Sequence, residues 1–172
     1  MGLISGYRRK RIIKLLKKYI REKDYVLDLG SGNGSILKAL NVKGVGVDKF
    51  VKPEDTDKVK FYKQDITGKM PFKQDTFDVC VMSAVLEHLT DAKVLEESRR
   101  VLKPKGKLII LTPKPSADIL LLLLWKFKML DEFEHYVYYT QRGLESVAKS
   151  YGLKILELKS FGRAVNLCVC EK

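Results

Sequence analysis

A doubly wound α/β sheet, mostly parallel and closed by an antiparallel last strand, is the fold this 172-residue chain predicts. Three observations carry it. Apolar runs of strand length alternate with helix-period segments, as βαβ units require. The run Val26-Leu27-Asp28-Leu29 ends in Gly30-Ser31-Gly32-Asn33-Gly34, and a helical pattern with Ile36, Leu37 and Leu40 begins at once. The last two strand-like runs are separated only by Ser160-Phe161-Gly162-Arg163. That link is too short for a helical crossover, so a hairpin must form.

Taken in order, a helix is expected over 7–22, where Ile12, Ile13, Leu16, Tyr19 and Ile20 repeat at helical spacing. Strands follow near 25–29, 44–48, 59–63, 77–82 and 107–112, then a late pair near 153–159 and 164–170. Helices fall near 34–40, 91–102, 117–130 and 141–151. The run Phe77 to Met82 is almost continuously apolar, as is Leu108 to Leu111, which fits strands covered on both faces. Thr90 or Asp91 is positioned to cap the 91–102 helix, and Pro104-Lys105-Gly106 reads as the turn back to the sheet. Thr140 caps the 141–151 helix and Gly152 ends it. Between Asp48 and Val59 the residues show no amphipathic pattern, so that crossover should be a loop or a single turn.

The strand, glycine turn and helix together read as a nucleotide-binding corner. Glycines let backbone approach a ligand closely, and the helix start beyond offers free N–H groups. A dinucleotide fingerprint reads G-x-G-x-x-G. Here Ser35 stands at the third glycine position and Gly34 arrives one residue early. The next strand, Gly44-Val45-Gly46-Val47-Asp48, closes on a carboxylate able to accept both hydroxyls of a ribose.

The net charge of +12 is uneven. Residues 1–23 hold nine Lys and Arg against Glu22 alone. Lys10, Lys14, Lys17, Lys18 and Arg21 fall opposite the apolar stripe, giving a basic amphipathic helix. Such a helix either touches an anionic surface or docks its stripe on the domain and solvates its lysines. Cys80, Cys168 and Cys170 lie in apolar strand-like runs with no C-x-x-C, which favours small buried hydrophobes over a metal site. The odd count points to a reducing, cytoplasmic setting. Ile119 to Trp125 is seven consecutive apolar residues, too short to span a bilayer.

The order of motifs resembles the class I S-adenosylmethionine-dependent methyltransferases, of the type 11 group related to ubiquinone and menaquinone methyltransferases. The resemblance covers roughly 24–170. It rests on Asp28 to Gly34, Asp48, Gln64-Asp65-Ile66, Phe77-Asp78-Val79, Val85-Leu86-Glu87-His88-Leu89 and Leu102-Lys103-Pro104-Lys105-Gly106. It implies a Rossmann-like sheet of about seven strands with S-adenosyl-L-methionine as cofactor and S-adenosyl-L-homocysteine as product. It also implies that Gly30, Ser31, Gly32, Asn33 and Gly34 pass beside the methionine part, with Asp28 facing its ammonium group. Asp48 would hold the ribose, with Lys49 and Phe50 following it and Phe50 packing on adenine. Asp65 and the Ile66 N–H would meet the adenine edge, and Ser83 and Ala84 would lie near the sulfonium. Asp65 can equally be a turn-forming aspartate before Thr67-Gly68.

Under this resemblance the single domain 1–172 divides into a basic helix (1–23), a cofactor-binding half (24–112), a variable substrate segment (113–140) and a helix with hairpin (141–172). Candidate bases are His88, His135 and Glu87; no metal is expected. The acceptor is a small molecule, with a lipophilic one and a membrane-surface contact suggested by the 119–130 run and the basic helix. Nucleic acid is not expected, because no aromatic-interleaved basic stretch is present. Two other classes stay open: an NAD(P)-dependent oxidoreductase, and a non-catalytic domain binding cofactor, nucleic acid or membrane.

Overall fold

Strands buried on both faces have to sit in the middle of a layered sheet, and the computed structural model places them there. It describes residues 3–114, 139–161 and 165–172. The strands are β1 (Val26–Leu29), β2 (Gly44–Asp48), β3 (Val59–Lys63), β4 (Phe77–Ser83), β5 (Leu102–Pro113), β6 (Lys154–Phe161) and β7 (Val165–Glu171). They form one seven-stranded sheet in the order β3-β2-β1-β4-β5-β7-β6. The pairs from β3 through β5 are parallel. β7 runs antiparallel to both β5 and β6, so the expected hairpin is present.

Two apolar clusters fill the two faces. On one, α1 (Leu3–Leu16) and α2 (Ser35–Leu40) cover Val26, Val79, Val81, Ile109 and Val169. On the other, α3 (Val94–Val101) and α4 (Gln141–Ser150) cover Leu27, Cys80, Met82, Ile110 and Cys168. All three cysteines are free and buried. In α1 and the turn that follows it the apolar stripe is docked: Leu15, Leu16 and Ile20 are in the core while Lys10, Lys14, Lys17, Lys18 and Arg21 are exposed.

Several boundaries differ from expectation. α1 ends at Leu16 and not at residue 22. The chain tightens there, with the Tyr19 and Ile20 N–H groups both donating to the Leu16 carbonyl, and Asp24 then accepts from the Arg21 N–H. α3 starts at Val94, after the expected caps, because Asp91 uses its carboxylate on the Lys93 N–H. β5 begins at Leu102 and takes in Pro104-Lys105-Gly106 as an irregularity within it. Leu102 pairs with Phe77, the register then shifts to Lys107 opposite Val79, and the Lys103 ammonium is held 2.8 Å from Asp78. Long-range pairing thus extends residues that locally prefer a turn. Thr140 caps α4 by accepting from the Gly143 N–H, as expected. The β2–β3 connection carries no helix; Asp55 and Thr56 from it accept N–H groups of β3, the outer strand. The expected helix over 117–130 lies outside the described residues.

Candidate functional site

Parallel strands deliver their last residues to one end of the sheet, and the chemistry-bearing residues of this chain collect there. Gly30 to Gly34 leave β1, Asp48 ends β2, Gln64 to Ile66 follow β3, and Ser83 to His88 follow β4.

The glycines divide by what surrounds them. A Cβ at Gly30 would lie 2.3 Å from a methyl of Val85, and one at Gly34 would lie 2.4 Å from the Phe61 ring. These two are required by packing. Gly32 is different. Its φ is +50°, and a Cβ there would meet nothing within 4 Å. A side chain at Gly32 would project into open space, so the backbone itself forms the wall of a cradle. Asn33 shapes the exit by accepting from the Ser35 N–H at the start of α2, and its side chain is exposed.

Asp48 closes the cradle from β2. One carboxylate oxygen accepts from the Gly32 N–H at 2.8 Å, and the other from the N–H groups of Phe50 and Val51 at 2.8 and 3.0 Å. Burial pushes this carboxyl up, but the three donors outweigh it and hold it below its ordinary range. Asp48 is therefore fixed and ionised. Its Gly32-facing oxygen bears one hydrogen bond and retains acceptor capacity.

Asp28 sits behind it on β1, 1% exposed, with one carboxylate oxygen lacking any partner. Burial and then the charge of Asp48 push its carboxyl up to about 7. The Ser31 hydroxyl is also buried and unpartnered. Orphaned polar atoms inside a fold are costly. Two of them beside an open cradle are what a site for a cationic, hydrogen-bonding group requires.

Asp65 takes the turn-forming role. One oxygen accepts from the Thr67 N–H and hydroxyl, and the other lies 2.9 Å from the Lys49 ammonium. Lys49 first, then the Thr67 donors, hold its carboxyl at about 2. Lys49 and Asp65 together tie the β2 and β3 exits. Ile66 is a core side chain, so only its backbone could face a ligand. Phe50 is 78% exposed.

Beyond β4, Ser83 is half-buried and Ala84 turns the chain at φ +56°, a left-handed conformation that costs a non-glycine residue energy. The turn Leu86–His88 follows. It buries Glu87, 2% exposed, with one oxygen unpartnered, and exposes His88. Burial, opposed by a backbone hydrogen bond, pushes the Glu87 carboxyl up to about 7. His135 lies outside the described residues.

Two residues that motif reading missed belong to this end. Tyr139 has its phenol raised by burial, then by Tyr151 and Glu87. Its carbonyl accepts from the buried Asn166 amide on β7 at 2.9 Å. Asn166 was visible in the sequence as the one polar residue inside the apolar run Val165 to Cys170.

Comparison with known proteins identifies the family and the fold. The sequence model of a family described as a methyltransferase domain matches residues 4–158. A demethylmenaquinone methyltransferase from Lactobacillus johnsonii is 30% identical over 152 residues, covering 77% of this chain and 61% of that protein. A protein from Pyrococcus horikoshii shares the fold with a TM-score of 0.75 at 24% identity, covering 99% of this chain and 92% of the other. A 1,6-didemethyltoxoflavin-N1-methyltransferase from Burkholderia thailandensis, solved with S-adenosylhomocysteine bound, gives 0.74 at 14% identity over 95% of this chain and 77% of that one. The chain spans 61% of the Lactobacillus relative and 46% of a similar Methanocaldococcus jannaschii protein.

Proposed function

Because the chain belongs to the methyltransferase-domain family, of the class I S-adenosylmethionine-dependent kind, we propose that it moves a methyl group from S-adenosyl-L-methionine to a small acceptor. The observation that carries this is the pairing of the open Gly32 cradle with the orphaned Asp28 oxygen beside it. The cofactor supplies an activated methyl on a sulfonium. Asp28 would meet the ammonium of its methionine part, Gly30 to Gly34 its backbone, and Asp48 its ribose. Asp65, Lys49 and the Ile66 N–H would border the adenine; Phe50, exposed until then, would cover it. Ser83 and Ala84 would lie beside the reacting centre. S-Adenosyl-L-homocysteine would be the product.

Positioning accounts for most of such a transfer, up to roughly 7–11 kcal/mol. Where the acceptor must lose a proton, Glu87 is the base we favour over His88 and His135. A buried carboxyl near 7 is matched to proton transfer at neutral pH. The 113–140 segment and Tyr139 would supply the acceptor half.

Relatives named for menaquinone and sterol methylation support a lipophilic acceptor. Among the described residues no helix is long and apolar enough to cross a membrane. With Leu15 and Leu16 of α1 docked in the core, a membrane contact through its exposed basic residues would weaken with salt. Three buried free thiols support a cytoplasmic setting.

A thermal-shift titration tests the function. S-adenosylhomocysteine should raise the melting temperature saturably, NAD and NADP should not, and labelled S-adenosylmethionine should then pass its methyl to members of an acceptor panel. Stabilisation by a nicotinamide cofactor and none by S-adenosylhomocysteine would replace this function with an oxidoreductase.

A further inference from the structure

Asp28 presents a chemical problem that its fold does not solve. The carboxyl is sealed in the sheet, 1% exposed, and one oxygen has no hydrogen-bond partner. Among the described residues no neighbour offers it a compensating charge. Across the ladder on β2 it faces Gly46, and on β4 it faces Val81. In the glycine loop the Ser31 hydroxyl is likewise buried with no partner among the described residues. The titratable group that bears on it is Asp48, whose charge is pinned by three amide donors and repels a second anion. Glu87, the other buried acid at this end, acts on Tyr139.

A carboxyl so placed holds its proton, first because burial strips water from its charged form and then because Asp48 repels a second anion. An arriving ammonium reverses that balance. We propose that binding of the cofactor's α-amino acid moiety displaces a proton from Asp28, so that ligand binding and proton release are one coupled event. This deepens the proposed function and rests on it. The exchange balances: an ammonium enters, the carboxylic O–H gives its proton to solvent, and the buried site stays neutral apart from Asp48. The affinity for any ligand bearing that ammonium then depends on pH by linkage. Below about 7 the ligand must first expel the proton; above it the carboxylate already stands ready.

The consequence is selective. A ligand with the adenosine part but no amino acid, such as 5′-methylthioadenosine, has nothing to exchange for the proton. Its affinity should be flat with pH.

Isothermal titration of S-adenosylhomocysteine, from pH 5.5 to 8.5 and at pH 6 in two buffers of different ionisation enthalpy, tests this. Affinity should rise by about tenfold per pH unit below 7 and then level off, with close to one proton released at pH 6. 5′-Methylthioadenosine should show neither effect. Asp28→Asn, checked for folding by its melting transition, should bind more weakly and lose the slope. A flat profile with wild-type protein, or a slope that survives in Asp28→Asn, overturns the proposal while leaving the cofactor assignment intact. Failure of S-adenosylhomocysteine to bind at every pH overturns the cofactor assignment itself.

Discussion

Among the described residues, four acids at the carboxyl end of the sheet form two opposite pairs. Asp48 and Asp65 lie toward the outer strands, partly exposed, with their oxygens accepting N–H and O–H groups or facing a lysine. Both carboxyls are held below their ordinary range. Asp28 and Glu87 lie on the inner strand β1 and beyond β4, buried, each with an oxygen that has no partner among the described residues. Both are pushed up to about 7. The outer pair is complete as the protein stands. The inner pair is left open among the described residues, and under the proposed function a ligand would complete it. A fold tolerates an unsatisfied buried acid where function uses it, since each such group costs stability.

That contrast can be broken at four points of descending size. Glu87→Gln should lower the rate of methyl transfer to an acceptor with an ionising nucleophile by about 10²–10⁴-fold. S-adenosylhomocysteine affinity should stay within threefold or so, a change of under about 1 kcal/mol. An unchanged rate would remove Glu87 from the chemistry and leave it a core residue.

Asp48→Ala comes next. Losing a charged acceptor toward the ribose should weaken S-adenosylhomocysteine binding by about 1.5–3 kcal/mol, roughly 10–150-fold. Equal affinity in calorimetry would show that the outer pair only shapes the loop.

The inner pair should also show itself in stability without ligand. Its acids bind protons more tightly folded than unfolded. Their contribution is therefore fully present below the unfolded values of 3.8 and 4.5 and is lost as pH rises toward about 7. Asp28→Asn removes that loss. It should melt higher than wild type at pH 8, by no more than about 4 kcal/mol of stability for a rise from 3.8 to about 7, and gain little at pH 4. Denaturant melts at the two pH values decide it, and a larger gain at pH 4 would contradict the burial argument.

Asp65→Asn should matter least. The Lys49 contact is half in solvent, so its loss should cost under about 1 kcal/mol. A larger drop in melting temperature would mean that the turn at Thr67 organises the site.

The outer pair was far more legible in the sequence than the inner pair's condition. Asp48 sits at the end of a glycine-rich strand and Asp65 before Thr67-Gly68, and local pattern alone suggests a strand end and a turn. Asp28 and Glu87 were visible as positions. Their isolation was not, because burial is set by long-range packing, of which Val85 against Gly30 and Asn166 on the Tyr139 carbonyl are examples at this end of the sheet. Gly32 shows the same limit. In the sequence it is one of three equivalent glycines, whereas in the fold its neighbours Gly30 and Gly34 serve packing and it alone faces open space. The strand–helix alternation and closing hairpin were legible because they rest on period and loop length. The start of α3 and the extension of β5 through Pro104 were not, since Asp91 and the Phe77–Leu102 pairing override local preference there.

Equilibrium binding of S-adenosylhomocysteine to wild type and to Gly32→Val is the most direct test that the cradle is the cofactor site. Valine at φ +50° should cost about 1–2 kcal/mol of stability and leave a folded domain, because its Cβ meets no protein atom. Wild type should bind with a dissociation constant of roughly 1–100 μM, and the folded variant at least about 100-fold more weakly. Wild-type affinity in a folded Gly32→Val would contradict the assignment.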